Sequence, residues 1–180
     1  TRAERAYADT LARDTWRFFE HVVGPDDNHL PPDNLQIEPQ PALAHRTSPT
    51  NIGVYLLSVV SARHFGWLSF EQTIERMEQT IATVERMEKY RGHLYNWYYT
   101  DTLKTLGPRY VSAVDSGNLA GHLVAVAAAC AEHPLLEQGQ LVAHLSGFLE
   151  LQVARVLHHL LLQLLDGPGD VFLAHVLDLG

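Results

Sequence analysis

Cysteine is nearly absent from this sequence, and so are clustered positive charges and long uninterrupted apolar runs. The chain of 180 residues has one cysteine, Cys130, which excludes a disulfide framework or a thiolate metal cluster within it and is typical of a reducing compartment such as the cytosol. The formal net charge is -8, without a cluster of Lys and Arg, and this argues against a nucleic-acid surface. We therefore expect no nucleic-acid partner and favour neutral or cationic ones.

No targeting or membrane-spanning segment is predicted. Residues 1–20 form a charged amphipathic pattern rather than the apolar stretch of a signal peptide. The most apolar tract, residues 145–165, includes Glu150, Arg155 and the pair His158-His159, too many polar groups for a lipid-spanning helix. Apolar residues make up 46% and charged residues 19% of the chain, an ordinary globular composition. We predict one domain over residues 1–180.

Hydrophobic periodicity predicts an all-α chain of about five or six helices. The third of them has the clearest spacing, with Phe70, Ile74, Met77, Ile81 and Val84 on one face. Along the chain the predicted helices cover residues 2–23, 48–64, 69–86, 115–132 and 140–165, with a short sixth near the end.

Helix-capping patterns support these boundaries. Ser48 stands immediately before a proline, an arrangement typical of a helix start, and Ser69 with Gln72 has the spacing of a capping box. Asp115 or Ser116 is expected to cap the fourth helix.

Two long polar connections, residues 24–48 and 91–114, separate the helices. A loop of about 25 residues is uncommon in a compact domain unless it has a function. Short turns alternate with these long loops, and in an α/α toroid such alternation collects the long loops at one end. The second loop carries an aromatic run over residues 95–99 and has room for a short strand or two.

The first long loop is the part of the chain richest in hydrogen-bonding side chains. Planar Asp, Asn, Gln and Arg groups suit the equatorial hydroxyls of sugars, and Trp97 and Tyr98 could supply rings for the apolar sugar face. An alternative needs no ligand: Asp33 and Asn34 would form a turn, Ser48 and Asp115 would be caps, Arg46 would pair with a carboxylate, and Trp97 would belong to the core.

Four segments of the chain are distinctive: LPPDNLQ (residues 30–36), AHRTSPTNIG (44–53), RGHLYNWY (91–98) and YVSAVDSGNLAGH (110–122). In this order they resemble the middle, glucoamylase-like region of cyclic β-1,2-glucan synthases. Tyr99 is a departure, since the family usually has Asp there, and Asp101 is near enough in sequence to substitute. The resemblance ends near Glu132.

The resemblance implies a partial (α/α)6 toroid of the six-hairpin glycosidase type, the N-terminal half of a domain within a much larger chain. It implies β-1,2-glucan as ligand, a contribution to transglycosylation and cyclisation, and a cytoplasmic location in a bacterial inner-membrane enzyme whose remaining domains are partners. The implied glucan-binding residues are Asp33, Asn34, Gln36, Arg46, Thr47, Asn51, Asn96, Trp97, Tyr98, Asp115 and Asn118.

The catalytic residues stay unassigned. Glycoside transfer generally needs two carboxyl groups facing each other across the bond, and the local candidates Asp33, Glu38, Asp101 and Asp115 have no evident acid–base partner. We expect the isolated chain to bind glucan without catalysing transfer. No metal or cofactor is predicted, because the histidines are scattered and no zinc-binding or nucleophilic-serine motif occurs.

Two other functions stay open from the sequence. An endo-β-1,2-glucanase-like hydrolase would share the barrel and the substrate and differ only in using water as acceptor. A non-catalytic helical interaction module would self-associate, or dock the rest of its own chain, through the apolar surface of residues 156–165.

Overall fold

The structure, a computed structural model, describes residues 1–131. They form four α-helices, a one-turn 3-10 helix at Pro25–Asp27 and six two-residue strands. The helices are α1 (Arg2–Val22), α2 (Pro49–His64), α3 (Phe70–Arg86) and α4 (Ala113–Ala131). The strands are β1 (Leu35–Gln36), β2 (Ala42–Leu43), β3 (Arg46–Thr47), β4 (Lys89–Tyr90), β5 (His93–Leu94) and β6 (Tyr98–Tyr99).

The predicted helix-rich architecture is confirmed for the described residues, and the first three helices begin and end close to the predicted positions. Ser48 caps α2, and Ser69 with Gln72 forms the predicted capping box of α3. Gly66 follows α2 with a positive φ of 74°, a backbone conformation that glycine adopts without strain. The predicted helix over residues 140–165 and the short sixth helix lie outside the described residues.

The long loops and their ends contain β-structure, in three antiparallel pairs, β1–β2, β3–β6 and β4–β5, because backbone N–H and C=O groups in a packed loop need partners. The prediction has room for a short strand or two in the second loop, and the structure adds β1, β2 and β3 in the first. The predicted start of the fourth helix is wrong, since α4 begins at Ala113 and neither Asp115 nor Ser116 is its cap. The Ser112 hydroxyl accepts the Asp115 backbone N–H at 3.1 Å and so takes the capping position.

α2 is the central element, and it packs against α1, α3 and α4. Its residues Ile52, Tyr55, Leu56 and Val59 are at most 1% exposed. The other helices complete the core with Trp16 and Phe19 from α1, Met77, Ile81 and Val84 from α3, and Leu119, Leu123 and Val126 from α4.

The first half of α1 and one side of α4 leave apolar side chains exposed. Tyr7 is 70% exposed and Leu11 55%, so the apolar stripe of α1 is covered only towards its C-terminal end. On α4, Val114 is 72% and Val124 51% exposed. Among the described helices α4 alone has the length and composition to cross a membrane, with a mean hydropathy of 1.2 and 22% burial over Ala113–Cys130. Core helices of soluble proteins share this length and composition.

Gly53 sets how closely α2 approaches α4. A Cβ built at Gly53 would lie 3.0 Å from Nδ1 and 3.1 Å from Cβ of His122. The His122 Cβ is attached directly to the α4 backbone, and its ring nitrogen lies 2.6 Å from the Asn118 carbonyl oxygen. A side chain at position 53 would therefore push the two helices apart.

Gly53→Ala is expected to lower the free energy of unfolding by about 1 kcal/mol, because overpacking outweighs the gain in helix propensity. Gly121→Ala, in α4, is the matched control, since nothing lies within 4 Å of its Cβ position. It should raise the free energy of unfolding by up to about 1 kcal/mol. Urea unfolding of the two variants checks this, and equal stabilisation by both would contradict the close approach.

Candidate functional site

The two long loops meet beside the N-terminal ends of α2 and α4. β3 from the first loop pairs with β6 from the second, with Arg46 opposite Tyr99 and Thr47 opposite Tyr98. The Thr100 backbone N–H extends this contact by donating to the His45 carbonyl at 3.1 Å. Side chains that are distant in sequence are thereby placed at one end of the helices.

Asp33 is the acceptor at the centre of the first part of this site. Its Oδ2 accepts from Arg46 Nε at 3.1 Å and Nη2 at 2.9 Å, and also from the Asn34 amide at 2.9 Å. Its Oδ1 accepts from the Asn51 amide at 3.2 Å. The side chain of Asp33 is 19% exposed and that of Arg46 is 46% exposed, so the pair is held on one side and open to solvent on the other.

The guanidinium of Arg46 lies over the indole ring of Trp97. The guanidinium carbon lies 5.4 Å from the centre of the indole ring, within the range of a cation–π contact. Arg46 thus lies over a face of the ring that sequence reasoning assigned to a sugar. The partly exposed guanidinium, bonded to Asp33 and in cation–π contact with Trp97, presents its remaining donors to solvent.

Asn96 and Asp115 form the second part of the site. In the amide orientation that satisfies both polar atoms, the Asn96 nitrogen donates to Asp115 Oδ2 at 2.9 Å, and its oxygen accepts from the Trp97 indole N–H at 2.7 Å and from the Tyr110 hydroxyl. The Thr50 hydroxyl donates to Asp115 Oδ1 at 2.7 Å. The network therefore runs from Trp97 through Asn96 to Asp115 and Thr50.

Local helix geometry explains why these side chains are available. Ser48 accepts the Asn51 backbone N–H at 3.2 Å, which leaves the side chains of Thr50 and Asn51 free to face the loops from the first turn of α2. Ser112 likewise caps α4 by accepting the Asp115 backbone N–H, so the Asp115 carboxylate is not used as a cap. The first turn of a helix also favours a nearby carboxylate electrostatically.

Eight of the eleven predicted binding residues lie in this connected network, which we call the polar network. Asn118 joins it by donating to the Thr50 hydroxyl at 3.1 Å. Its predicted members are Asp33, Asn34, Arg46, Asn51, Asn96, Trp97, Asp115 and Asn118.

Three predicted binding residues lie elsewhere. Gln36 is exposed in β1 and its amide donates to the Gln40 carbonyl at 3.4 Å. Thr47 and Tyr98 are both 0% exposed, so their side chains offer no surface to a ligand, and we leave them out of the site.

Tyr98 is instead a core residue, and its hydroxyl both donates and accepts a hydrogen bond. The hydroxyl donates to the Glu88 carbonyl at 2.6 Å and accepts the Tyr95 backbone N–H at 2.7 Å. Burial raises the pKa of Tyr98 well above its usual range, so this phenol stays neutral.

Sequence reasoning missed Thr50 and Tyr110 as members of the network. Both lie inside the family-like segments, but a threonine after a helix-starting proline and a single tyrosine carry no local signal of a long-range hydrogen bond.

The other two carboxylates considered as catalytic candidates lie outside the polar network. Asp101 accepts the backbone N–H of Thr102 at 2.7 Å, and Glu38 is exposed and precedes a cis proline bond. Within residues 1–131 no group of three or more His, Cys, Asp or Glu side chains is placed to hold a metal ion. The arrangement as it stands can bind a polyhydroxylated ligand through several directed donors and acceptors.

Comparison with known proteins confirms the resemblance seen in the sequence and extends it past Glu132, where the sequence analysis ends it, because the match covers 161 of the 180 residues. The chain is 58% identical over 161 residues, 89% of its length, to the cyclic β-(1,2)-glucan synthase NdvB of Rhizobium meliloti, and it spans 6% of that protein. No protein-family model matches the sequence.

Solved structures support the glucoamylase-like fold. A presumed glucoamylase from Bacteroides fragilis matches 80% of the chain at a TM-score of 0.67 and 20% identity, with 35% of its own length covered. An endo-β-1,2-glucanase from Chitinophaga pinensis, solved with sophorotriose and glucose, matches 79% of the chain at a TM-score of 0.64 and 17% identity, also over 35% of its length. The chain therefore spans about a third of each of these proteins.

Proposed function

We propose that this chain, similar as it is to a cyclic β-1,2-glucan synthase, binds β-1,2-glucan through the polar network. In this proposal it supplies part of the glucan cleft of a glucoamylase-like (α/α)6 toroid, as the N-terminal half of that domain in a longer chain. The bound glucan would be the substrate of transglycosylation and ring closure, carried out with the remaining domains on the cytoplasmic side of a bacterial inner membrane.

The observation that carries this proposal is the geometry of Arg46. Two of its donors are bonded to Asp33, its guanidinium carbon lies 5.4 Å from the centre of the Trp97 ring, and its side chain is 46% exposed. A guanidinium has five N–H donors in a rigid plane, so the donors not used by Asp33 can be offered to sugar hydroxyls in a fixed orientation. Such pre-organisation lowers the entropic cost of binding.

The partly exposed carboxylates complete the chemistry that a sugar requires. Asp33 and Asp115 are acceptors for hydroxyl protons, while the Asn34 and Asn118 amides add donors at the exposed rim of the network. Hydrogen bonds that involve a charged partner contribute about 1.5–3 kcal/mol each. Several such groups at one end of the helices suit a ligand with many hydroxyls, such as a chain of glucose units.

The proposal does not give this chain a complete catalytic pair. Glycoside transfer needs a general acid and a second carboxylate placed across the scissile bond, and Asp33 and Asp115 are both held by neutral or cationic hydrogen-bond donors. We therefore expect glucan binding without transfer or ring closure.

The test is a calorimetric titration of the chain with linear β-1,2-glucooligosaccharides, with β-1,3 and β-1,4 oligomers as controls. Saturable binding selective for the β-1,2 linkage is the expected result. No binding by a chain shown by circular dichroism to be folded would refute the proposal. Product analysis after long incubation with the same oligosaccharides should show neither cyclic nor transfer products. The appearance of either would overturn the expectation that this chain lacks a complete catalytic pair.

An endo-β-1,2-glucanase-like hydrolase is a second candidate, favoured by the fold shared with β-1,2-glucanases of Chitinophaga pinensis and Parabacteroides distasonis. The titration does not separate it from a cyclising enzyme, because both bind the same glucan. Product analysis on the complete domain does: linear short products indicate hydrolysis, and rings indicate transglycosylation.

A helical interaction module is a third candidate, favoured by the exposed apolar side chains of Tyr7, Leu11, Val114 and Val124. The apolar surface of residues 156–165 suggested by the sequence lies outside the described residues. Sedimentation that shifts with protein concentration, together with a lack of glucan binding, would favour this candidate over the first two.

A further inference from the structure

Asp27 is a buried carboxylate at the junction of three separate segments of the chain. It is 3% exposed, and its Oδ1 accepts from His45 Nδ1 at 2.8 Å and from the Thr100 hydroxyl. These partners are 18 and 73 residues away in sequence. A carboxylate buried in this way is costly unless it is hydrogen-bonded, so its position depends on both partners.

Each partner of Asp27 is next to an element that carries the polar network. His45 immediately precedes Arg46 in β3, and Thr100 immediately follows β6, the strand that begins one residue after Trp97. The Thr100 backbone N–H donates to the His45 carbonyl at 3.1 Å. Asp27 therefore holds together the ends of the two strands that bring Arg46 over Trp97.

The turn that contains Asp27 is itself anchored to α3. Asn28 and His29 have positive φ values of 51° and 58°, and their carbonyls accept the hydroxyls of Thr83 and Thr80 at 2.7 and 2.9 Å. The Asn28 amide also donates to the Thr100 carbonyl at 2.8 Å. This turn therefore fixes the position of the β3–β6 pair relative to α3.

We infer that Asp27 is a positioning residue of the glucan site, acting through His45 and Thr100 to hold Arg46 over Trp97. The inference rests on the proposed function for its effect on glucan binding, while the holding of the strands can be measured without a ligand. Asp27 is buried behind the loops and acts on the ligand only through Arg46.

The first experiment compares Asp27→Ala with Asp27→Asn in the titration with β-1,2-glucooligosaccharides. Asp27→Ala should weaken binding about tenfold, an effect of the size seen between coupled neighbouring residues. Asp27→Asn keeps an oxygen that can accept from both partners, so it should bind within about twofold of the unsubstituted chain. Val59→Ala, a core change in the second half of α2, controls for lost stability and should leave the affinity unaltered.

A double-mutant cycle separates positioning from a general structural role. In the Arg46→Ala background, Asp27→Ala should change the affinity by less than about twofold, because the group it positions is gone. An equal tenfold loss in both backgrounds would overturn the inference. Should Asp27→Ala fail to fold, Thr100→Val, which removes one donor to Asp27 at nearly constant volume, takes its place in the cycle.

The ligand-free readout is amide hydrogen exchange at Thr100. Its exchange should be faster in Asp27→Ala and unchanged in Asp27→Asn, with the amide of Val84 in the α3 core as the internal reference. Unchanged exchange at Thr100 in Asp27→Ala would overturn the inference. If the unsubstituted chain binds no glucan, the proposed function fails, and this exchange comparison still decides whether Asp27 holds the two strands.

Discussion

Arg46→Ala is expected to weaken the binding of linear β-1,2-glucooligosaccharides by about 10- to 100-fold, the loss of one or two hydrogen bonds from a charged donor. The substitution removes the exposed guanidinium and leaves Asp33 with only the Asn34 and Asn51 amides as donors. Calorimetric titration at a temperature well below unfolding measures the effect.

The control for this prediction is Arg17→Ala. Arg17 is also an exposed arginine in an ion pair, 2.8 Å from Asp14 on α1, and its removal should leave glucan affinity unaltered. Arg46→Lys should recover little of the affinity, because an ammonium group neither stacks on Trp97 as a plane nor presents donors in a fixed fork. Full affinity in Arg46→Ala would contradict the assignment of Arg46 as the principal donor.

Tyr98→Ala is expected to cause the largest loss of stability, about 3–5 kcal/mol, the cost of truncating a large aromatic side chain in a core. Tyr98→Phe removes only the hydroxyl and should cost about 1–3 kcal/mol, because the buried N–H of Tyr95 and the carbonyl of Glu88 lose their partner. Urea unfolding followed by circular dichroism measures both. The expected loss for Tyr98→Ala is large because the Tyr98 side chain is completely buried in the core.

Tyr99→Ala, one residue further along β6, is the matched control. Tyr99 is 44% exposed, and a surface substitution of this kind changes stability by about 0.5 kcal/mol or less. Tyr98→Phe should also keep its glucan affinity, since its hydroxyl faces the interior. A Tyr98→Phe variant with full stability and weakened binding would indicate that the Tyr98 hydroxyl contacts the ligand, and would contradict the assignment of Tyr98 to the core.

Much of the helical framework could be predicted from sequence because helix formation depends on short-range patterns. The capping box of Ser69 with Gln72 and the start of α2 at Ser48 involve residues three positions apart, so local reading located them. The fourth helix shows the limit of such reading. Asp115, Ser116 and Ser112 are all acceptable caps, and the choice of Ser112 allows Asp115 to bond with Thr50 and Asn96.

The sequence located the residues of the polar network only in part, for a related reason. The family-like segments contain the network, and eight of the predicted binding residues lie in it, but their role in binding stays a prediction. In the aromatic run of residues 95–99, however, neighbouring residues are of the same or similar type. Whether Tyr98 or Tyr99 faces the core depends on the pairing of β6 with β3, and a strand turns alternate side chains to opposite sides.

By itself the sequence determined where the first three helices begin and end, which loops are polar, and which family the chain resembles, because each of these follows from residues close together in the chain. Only the tertiary structure decided that Arg46 lies over Trp97, that Asp115 serves the network rather than a helix cap, and that Asp27 joins His45 to Thr100. The physical reason is that each of these contacts links segments at least 18 residues apart in the chain, and their geometry is set by the packing of α2 against α3 and α4.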